Sequence, residues 1–556
     1  MPEIRFDTYY RYDDMTRILQ DCVAEYPSLC RLESMGQSYE GRDIWVLILT
    51  NFETGPDAEK PAFWVDGNIH ATEVSPSTAA LYLIDKLLTN YGKDERITYA
   101  LDSRAFYVVP RLNPDGAEWA LADTPRFIRS SVRPYPRQDQ LDGLIQEDID
   151  GDGRILQMRL KDPHGSRKIH PDEPRLMMQR EPDDPPGGNY YRLLPEGRIQ
   201  NYDGVLIKMA PALQGLDINR NFPINWEVGE RGAGTHPGGE PETRAAIEYV
   251  VNHPNITGSI SYHTFSGVHL RPPTKDPENQ MDQNDLRAYK RIGAKATELT
   301  GYPSVSVYHD FKYDPNQFIK GTFHDWLYEQ QGVFGWTTEI WSVQSQAGIK
   351  DYKFIEWFTE HPLEHDLQII KWFDEALDGE GIIDWYEFDH PELGKVELGG
   401  WDTMHTWRNP PFKLLEKEVA PLADHAIWQC LVSPKLELLS LEATPHGDAH
   451  LIRLVLHNTG WLPTSVTSRA AKTGVAKPLE IDLELPENAK LLAGEKKSFH
   501  GQLPGRNHKG MFALWSSDDT AERLQVEWVV QVPAGTPIQI TAKHDRAGTV
   551  RASITL

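Results

Sequence analysis

His70 and Glu73 stand three residues apart, directly after the apolar run that begins at Pro61. An imidazole nitrogen and a carboxylate so spaced at the mouth of a strand can meet on one divalent ion. The spacing also recurs by chance in long chains, where it marks a surface pair, so its meaning depends on the companions the chain supplies. Five further segments carry chemistry. A turn at Asn113–Gly116 leads into Arg126 and Arg129, and Asn219 and Arg220 lie side by side after Asp217. His263 closes one apolar run, His324 and Asp325 follow Gly321-Thr322, and Glu339 lies near the end of another run.

The elements that must position these residues are legible as periodicities. Met15, Ile18, Leu19, Cys22 and Val23 repeat at helical spacing. Runs at 44–49, 62–65 and 106–109 read as strands buried on both faces, and Ser75-Pro76 reads as a helix start. Further strands are expected at 258–262 and 333–340, with helices near 241–251, 286–299 and 366–377. This alternation predicts an α/β fold, a mixed, mainly parallel sheet flanked by helices, with its site at the carboxyl ends of the strands. The first domain spans 1–378. It is interrupted by a Pro-, Asp- and Gly-rich insertion at 131–201, expected to lie over the surface. Residues 379–433 read as a connecting segment, and strand alternation over 434–556 predicts a C-terminal antiparallel β-sandwich.

Composition narrows the function. With 57 basic and 82 acidic residues the net charge is −25, which argues against a nucleic-acid partner. The three cysteines form neither a disulfide framework nor a CxxC metal site. No basic-then-apolar leader opens the sequence and no run approaches the roughly 18 apolar residues of a membrane span, so a cytoplasmic, membrane-free protein is expected. The GxSxG and HExxH motifs are missing from the sequence. Oligomeric state leaves no trace in the pattern.

Together, and in this order, the segments resemble the zinc carboxypeptidase family, the carboxypeptidase A-like or funnelin metallopeptidases, over roughly residues 6–375. The resemblance implies one zinc ion held by His70, Glu73 and His263, and Glu339 as general base. It further implies Arg129 at the oxyanion, Asn219 and Arg220 on a terminal carboxylate, and His324 shaping the pocket for the terminal side chain. Chemistry asks for the same set: two imidazoles and a carboxylate leave a fourth position open, as catalytic zinc sites do. The implied activity is a metallopeptidase hydrolysing the C-terminal bond of a peptide or peptide-like amide. An amidase or cell-wall peptide hydrolase with the same zinc site, and a non-catalytic binding module, are the alternatives.

Some positions leave choices open. Arg126 competes with Arg129, and Arg220 has Asp217 as a rival partner. Thr72 stands where the digestive members carry an arginine, and Phe265 where many relatives carry a tyrosine. The family's mobile tyrosine counts to Gln317, with Tyr308 and Tyr313 displaced from it. Separately, Asp148, Asp150 and Asp152 match the first half of a calcium loop, so calcium is a second expected ion, balanced against an acidic surface turn. Arg159 stands where such a loop needs its closing acid.

Overall fold

The computed structural model describes residues 4–314, 316–509, 514 and 517–556. Eight strands form its principal sheet: β1 (Cys30–Gln37), β2 (Asp43–Leu49), β3 (Ala62–Gly67), β4 (Ala105–Val109), β5 (Ile256–Thr264), β6 (Val268–Arg271), β7 (Ser304–Ser306) and β8 (Phe334–Ile340). Their order is β1-β2-β4-β3-β5-β8-β6-β7. The central four, β4, β3, β5 and β8, run parallel, whereas β1, β2 and β6 pair antiparallel with their neighbours on β2, β4 and β8.

Every residue of β3, β4 and β5 is buried, because helices cover both faces. Phe63, Val65 and Ile260 point into one core with Met15, Leu83, Tyr289 and Leu422 from four helices (Tyr12–Glu25, Ser75–Asn90, Gln283–Thr300 and Phe412–Leu431). Trp64 and Tyr107 point to the other face, against Ala246 of Pro241–Asn252 and Trp326 of Phe323–Glu329. The period-2 alternation of strand side chains thus divides one apolar run between two cores.

Two stretches carry elements that their sequences do not announce. Within 131–201 the chain forms short strands. Gln157–Lys161, Arg167–Ile169, Met177–Gln179 and Tyr191–Pro195 join Ile382–His390 and Gly394–Trp401 in a single six-stranded sheet. Arg159 links the two segments through its ion pair with Glu397, at 2.9 Å. The stretch expected merely to connect, 379–433, therefore supplies a hairpin to that sheet. It also supplies the 20-residue helix Phe412–Leu431, whose Leu415, Val419, Leu422, Ala426 and Ile427 are buried. Three- to five-residue strands rich in Arg, Lys and Gln carry too little alternation to be read without their partners.

The C-terminal region is two four-stranded antiparallel sheets. Leu436–His446, Ala449–Asn458, Arg523–Gln531 and Lys490–Ala493 make one, and Lys497–His500, Leu479–Glu484, Pro537–His544 and Gly548–Thr555 the other. Leu454 and Trp528 meet Ile481 and Ile540 in their common core. Among the described residues no helix is long and apolar enough to cross a membrane.

Because Leu422 is fully buried in the principal core, Leu422→Ala should cost about 2–5 kcal/mol. Chemical denaturation followed by tryptophan fluorescence checks this. A midpoint unchanged from the wild type would mean that the 412–431 helix is not integral to the catalytic body.

Candidate metal centre and active site

The site begins at the end of β3. A Cβ on Gly67 would lie 2.8 Å from the carbonyl carbon and oxygen of Pro76, so only glycine lets the Ser75–Asn90 helix approach this closely. The turn that follows is tied down by side-chain amides. Asn68 donates to the His70 carbonyl at 2.7 Å. Asn409, far along the chain, accepts from the Val74 and Ser75 amides and donates to the Thr72 carbonyl. On the neighbouring strands His263 of β5 and Glu339 of β8 occupy one register level, and on adjacent parallel strands that places both side chains on the same face.

His70, Glu73 and His263 converge and are buried. His70 Nδ1 lies 2.9 Å from Glu73 Oε1, His263 Nδ1 lies 3.2 Å from Glu73 Oε2, and the two Nδ1 atoms are 3.1 Å apart. A tetrahedral ion with bonds of about 2.0–2.1 Å requires donors roughly 3.3 Å apart, so the trio fits zinc. Each imidazole has its other nitrogen engaged. His70 Nε2 faces Asp217 Oδ1 at 3.2 Å, and His263 Nε2 faces Ser261 Oγ at 3.3 Å. Ser261 Oγ in turn donates to the buried Asp66 at 2.7 Å. Both arrangements put the proton on Nε2 and leave the Nδ1 lone pairs for the ion. Burial alone would raise Glu73, but His70 and His263 hold its carboxyl well below the usual range. His263 itself is lowered to about 4, chiefly by burial.

Around the trio stand three arginines. Arg129 Nε binds Asp217 Oδ2 at 3.0 Å and its Nη1 binds Glu73 Oε1 at 3.2 Å. Arg126 instead stacks over Trp119 at 4.2 Å, so of the two competitors Arg129 is the one at the centre. Arg220 is only loosely set against Asp217, at 3.8 Å, and donates to the Asn219 carbonyl. Asn219 Oδ1 is occupied by the Phe323 amide, which turns its NH2 group outward as a donor. The third cation, Arg408, lies within electrostatic reach of Glu73, Arg129 and Glu339. Burial and the adjacent Glu73 push Glu339 well above the ordinary carboxylate range, against the pull of Arg129, Arg408 and Arg220.

His324 is buried with Nδ1 on Thr337 Oγ1 at 3.0 Å and Nε2 unpartnered. Burial lowers its pKa to about 3, so the ring is neutral at physiological pH. Tyr313, 59% exposed, lies in the field of Arg129, Glu339, Arg220 and Glu73. It therefore borders the cleft although the family's tyrosine counts to Gln317. Sequence reasoning weighed Asp217 only as a partner for Arg220 and passed over Asp66, Ser261, Arg408 and Asn409. Asp217 had a local signal, four residues before Asn221 in a polar turn; Arg408 and Asn409 had none.

The calcium expectation is not supported. Asp148 accepts from the Gly151 and Gly153 amides, Asp150 from the Asp152 amide and the Tyr386 hydroxyl, and Asp152 from the Arg154 amide. These carboxylates shape a turn. Asp152 also falls outside the acidic grouping of Asp148, Asp150 and Glu196, and Glu196 is itself bonded to the Ile149 and Leu156 amides.

A parallel-centred α/β sheet with a two-histidine, one-carboxylate cluster at its strand ends defines a metallohydrolase-like scaffold. The zinc carboxypeptidase family profile matches residues 15–356, and the chain belongs to that family. A second profile, for a domain of unknown function, matches residues 435–555. Relatives include carboxypeptidase A1 of Rattus norvegicus, 22% identical over 343 residues, covering 60% of this chain and 63% of the relative. Carboxypeptidase M of Mus musculus is 34% identical over 110 residues, 20% of this chain and 25% of the relative. The chain thus spans less than two thirds of the length of these curated relatives. Among solved structures, carboxypeptidase A from Helicoverpa armigera is similar at 19% identity and TM-score 0.39, covering 67% of this chain and 75% of that one.

Asp217 orients a ligand and Arg129 at once. Asp217→Ala should weaken zinc binding by about 10–100-fold, measured by competition with a chromogenic chelator. Unchanged affinity would remove Asp217 from the metal site.

Proposed function

We propose that the protein is a zinc-dependent metallopeptidase that removes the C-terminal residue of peptides. The observation that carries this reading is the convergence of three metal-ligand atoms beside Glu339 in a cleft that also presents unengaged arginine and amide donors. Zinc, when bound by His70, Glu73 and His263, supplies a Lewis acid for the scissile carbonyl and lowers the pKa of water to about 7.

The chain's own groups complete the chemistry. Glu339 takes the proton of the attacking water and returns it to the leaving amine. Arg129 is held by Asp217 and Glu73 and keeps donors for the carbonyl oxygen as charge develops there, an interaction worth about 3 kcal/mol. Arg220 and the NH2 group of Asn219 receive the terminal carboxylate, the guanidinium in bidentate fashion. Neutral His324 offers Nε2 as the polar contact for the terminal side chain.

Glu339→Gln should lower kcat by about 10²–10⁴-fold while zinc stoichiometry stays near that of the unmutated protein. Incubation with a mixed peptide library, with new C-termini read by mass spectrometry, checks the reading. Loss of single terminal residues, abolished by a chelator and restored by zinc, is expected. Internal cuts, or equal turnover in both proteins, would overturn it. His324→Leu should shift the preferred terminal residue towards apolar side chains, read as a change in kcat/KM ratios on the same library.

A further inference from the structure

Arg408 belongs to the segment 379–433, beyond the residues matched by the family profile. It ends a π-helical turn, Thr403–Arg408, that is fastened to the loop after β3 and to the end of β8. Asp402 caps the turn through the Met404 and His405 amides. Trp341, the residue after β8, donates its indole N–H to the Thr406 carbonyl at 2.7 Å. The next residue, Asn409, grips the turn at Thr72, Val74 and Ser75. The guanidinium lies 5.7 Å from the ring centroid of Phe265, two residues past His263. Arg408 is thereby held beside the candidate metal centre by contacts of its neighbours, not by any ion pair of its own.

Among the described residues, Arg408 has neither a hydrogen bond nor an ion pair, and it is partly exposed. The three carboxylates of the cleft leave it unsatisfied. Glu73 and Asp217 are bound by Arg129, and no contact within ion-pair distance joins Glu339 to Arg408. An unpaired guanidinium at a partly desolvated cleft wall is matched best by a planar anion. With Arg220 receiving one carboxylate, a second is left for Arg408 to bind.

We propose that Arg408 is a specificity-determining residue that binds a second substrate carboxylate, on the acyl side of the scissile bond, and so directs the enzyme to peptides with an acidic penultimate residue. This rests on the exopeptidase reading above. The Phe265 face beneath the guanidinium and the fastened turn hold the cation in place before substrate arrives, which limits the entropy lost on binding.

The test compares two isosteric N-acetyl dipeptides with a common terminal asparagine, one with a penultimate glutamate and one with glutamine, on the zinc-loaded full chain. The unmutated protein should favour the glutamyl substrate at least about tenfold in kcat/KM, through KM. Arg408→Gln should bring the ratio near one, and Arg408→Lys should fall between. Equal use of both substrates by the unmutated protein overturns the proposal without recourse to any variant. So does an Arg408→Gln loss that falls equally on both substrates in kcat, which would assign the arginine to the field around Glu339. Should neither dipeptide be cleaved, the exopeptidase reading fails on its own. Calorimetry of the same two dipeptides then decides on Arg408: tighter binding of the glutamyl compound, lost in Arg408→Gln, supports the role, and equal affinities overturn it.

Discussion

Parallel register is the constraint on which the site depends. β3, β5 and β8 lie side by side and run the same way, so their carboxyl ends open at one edge of the sheet. His263 and Glu339 share a register level there, and His70 lies three residues beyond the last residue of β3. A one-residue slip of β8 would turn Glu339 away from the cleft and towards the opposite face. Two cores, one on each side of the sheet, resist such a slip, because Phe63 with Val65 and Trp64 would exchange environments in any neighbouring strand that moved with it.

The metal-ligand cluster is held from outside as much as from within. Four acidic groups lie close together (Asp66, Glu73, Asp217 and Glu339), and three of them are buried among imidazoles, hydroxyls and a guanidinium that divide the charge. Asp217 serves His70 and Arg129 simultaneously, while Ser261 carries His263 through to Asp66. Asp66, raised to about 7 by burial, sits at the far end of that relay. Each imidazole is thus turned by a polar partner, Asp217 for His70 and Ser261 for His263.

What could be read in the sequence follows the length and regularity of each element. Buried runs such as Phe106–Val109 and the helical stripe around Leu83 state their environment in four or five residues. The candidate ligands His70, Glu73 and His263 stand at the ends of such runs and are legible for that reason. The 157–195 strands were not, since each is short, half polar and completed only by a hairpin some 200 residues later. Arg408 was hidden for a related reason: its place is set by Trp341 and Asn409 across the fold, and its own neighbours in sequence resemble an ordinary loop.

The sheet shared by 157–195 and 382–401 also bears on the order of assembly. During synthesis every candidate zinc ligand and Glu339 precede the partner strands of the earlier segment. The Asn409 clamp and the Phe412–Leu431 helix arrive later still. A nascent chain therefore passes through a stage in which the candidate site residues are present but the Asn409 contacts that fasten their loop are missing, and contacts of such sequence separation form slowly as a rule. The surroundings of the candidate metal site are therefore finished only by residues synthesised well after its own.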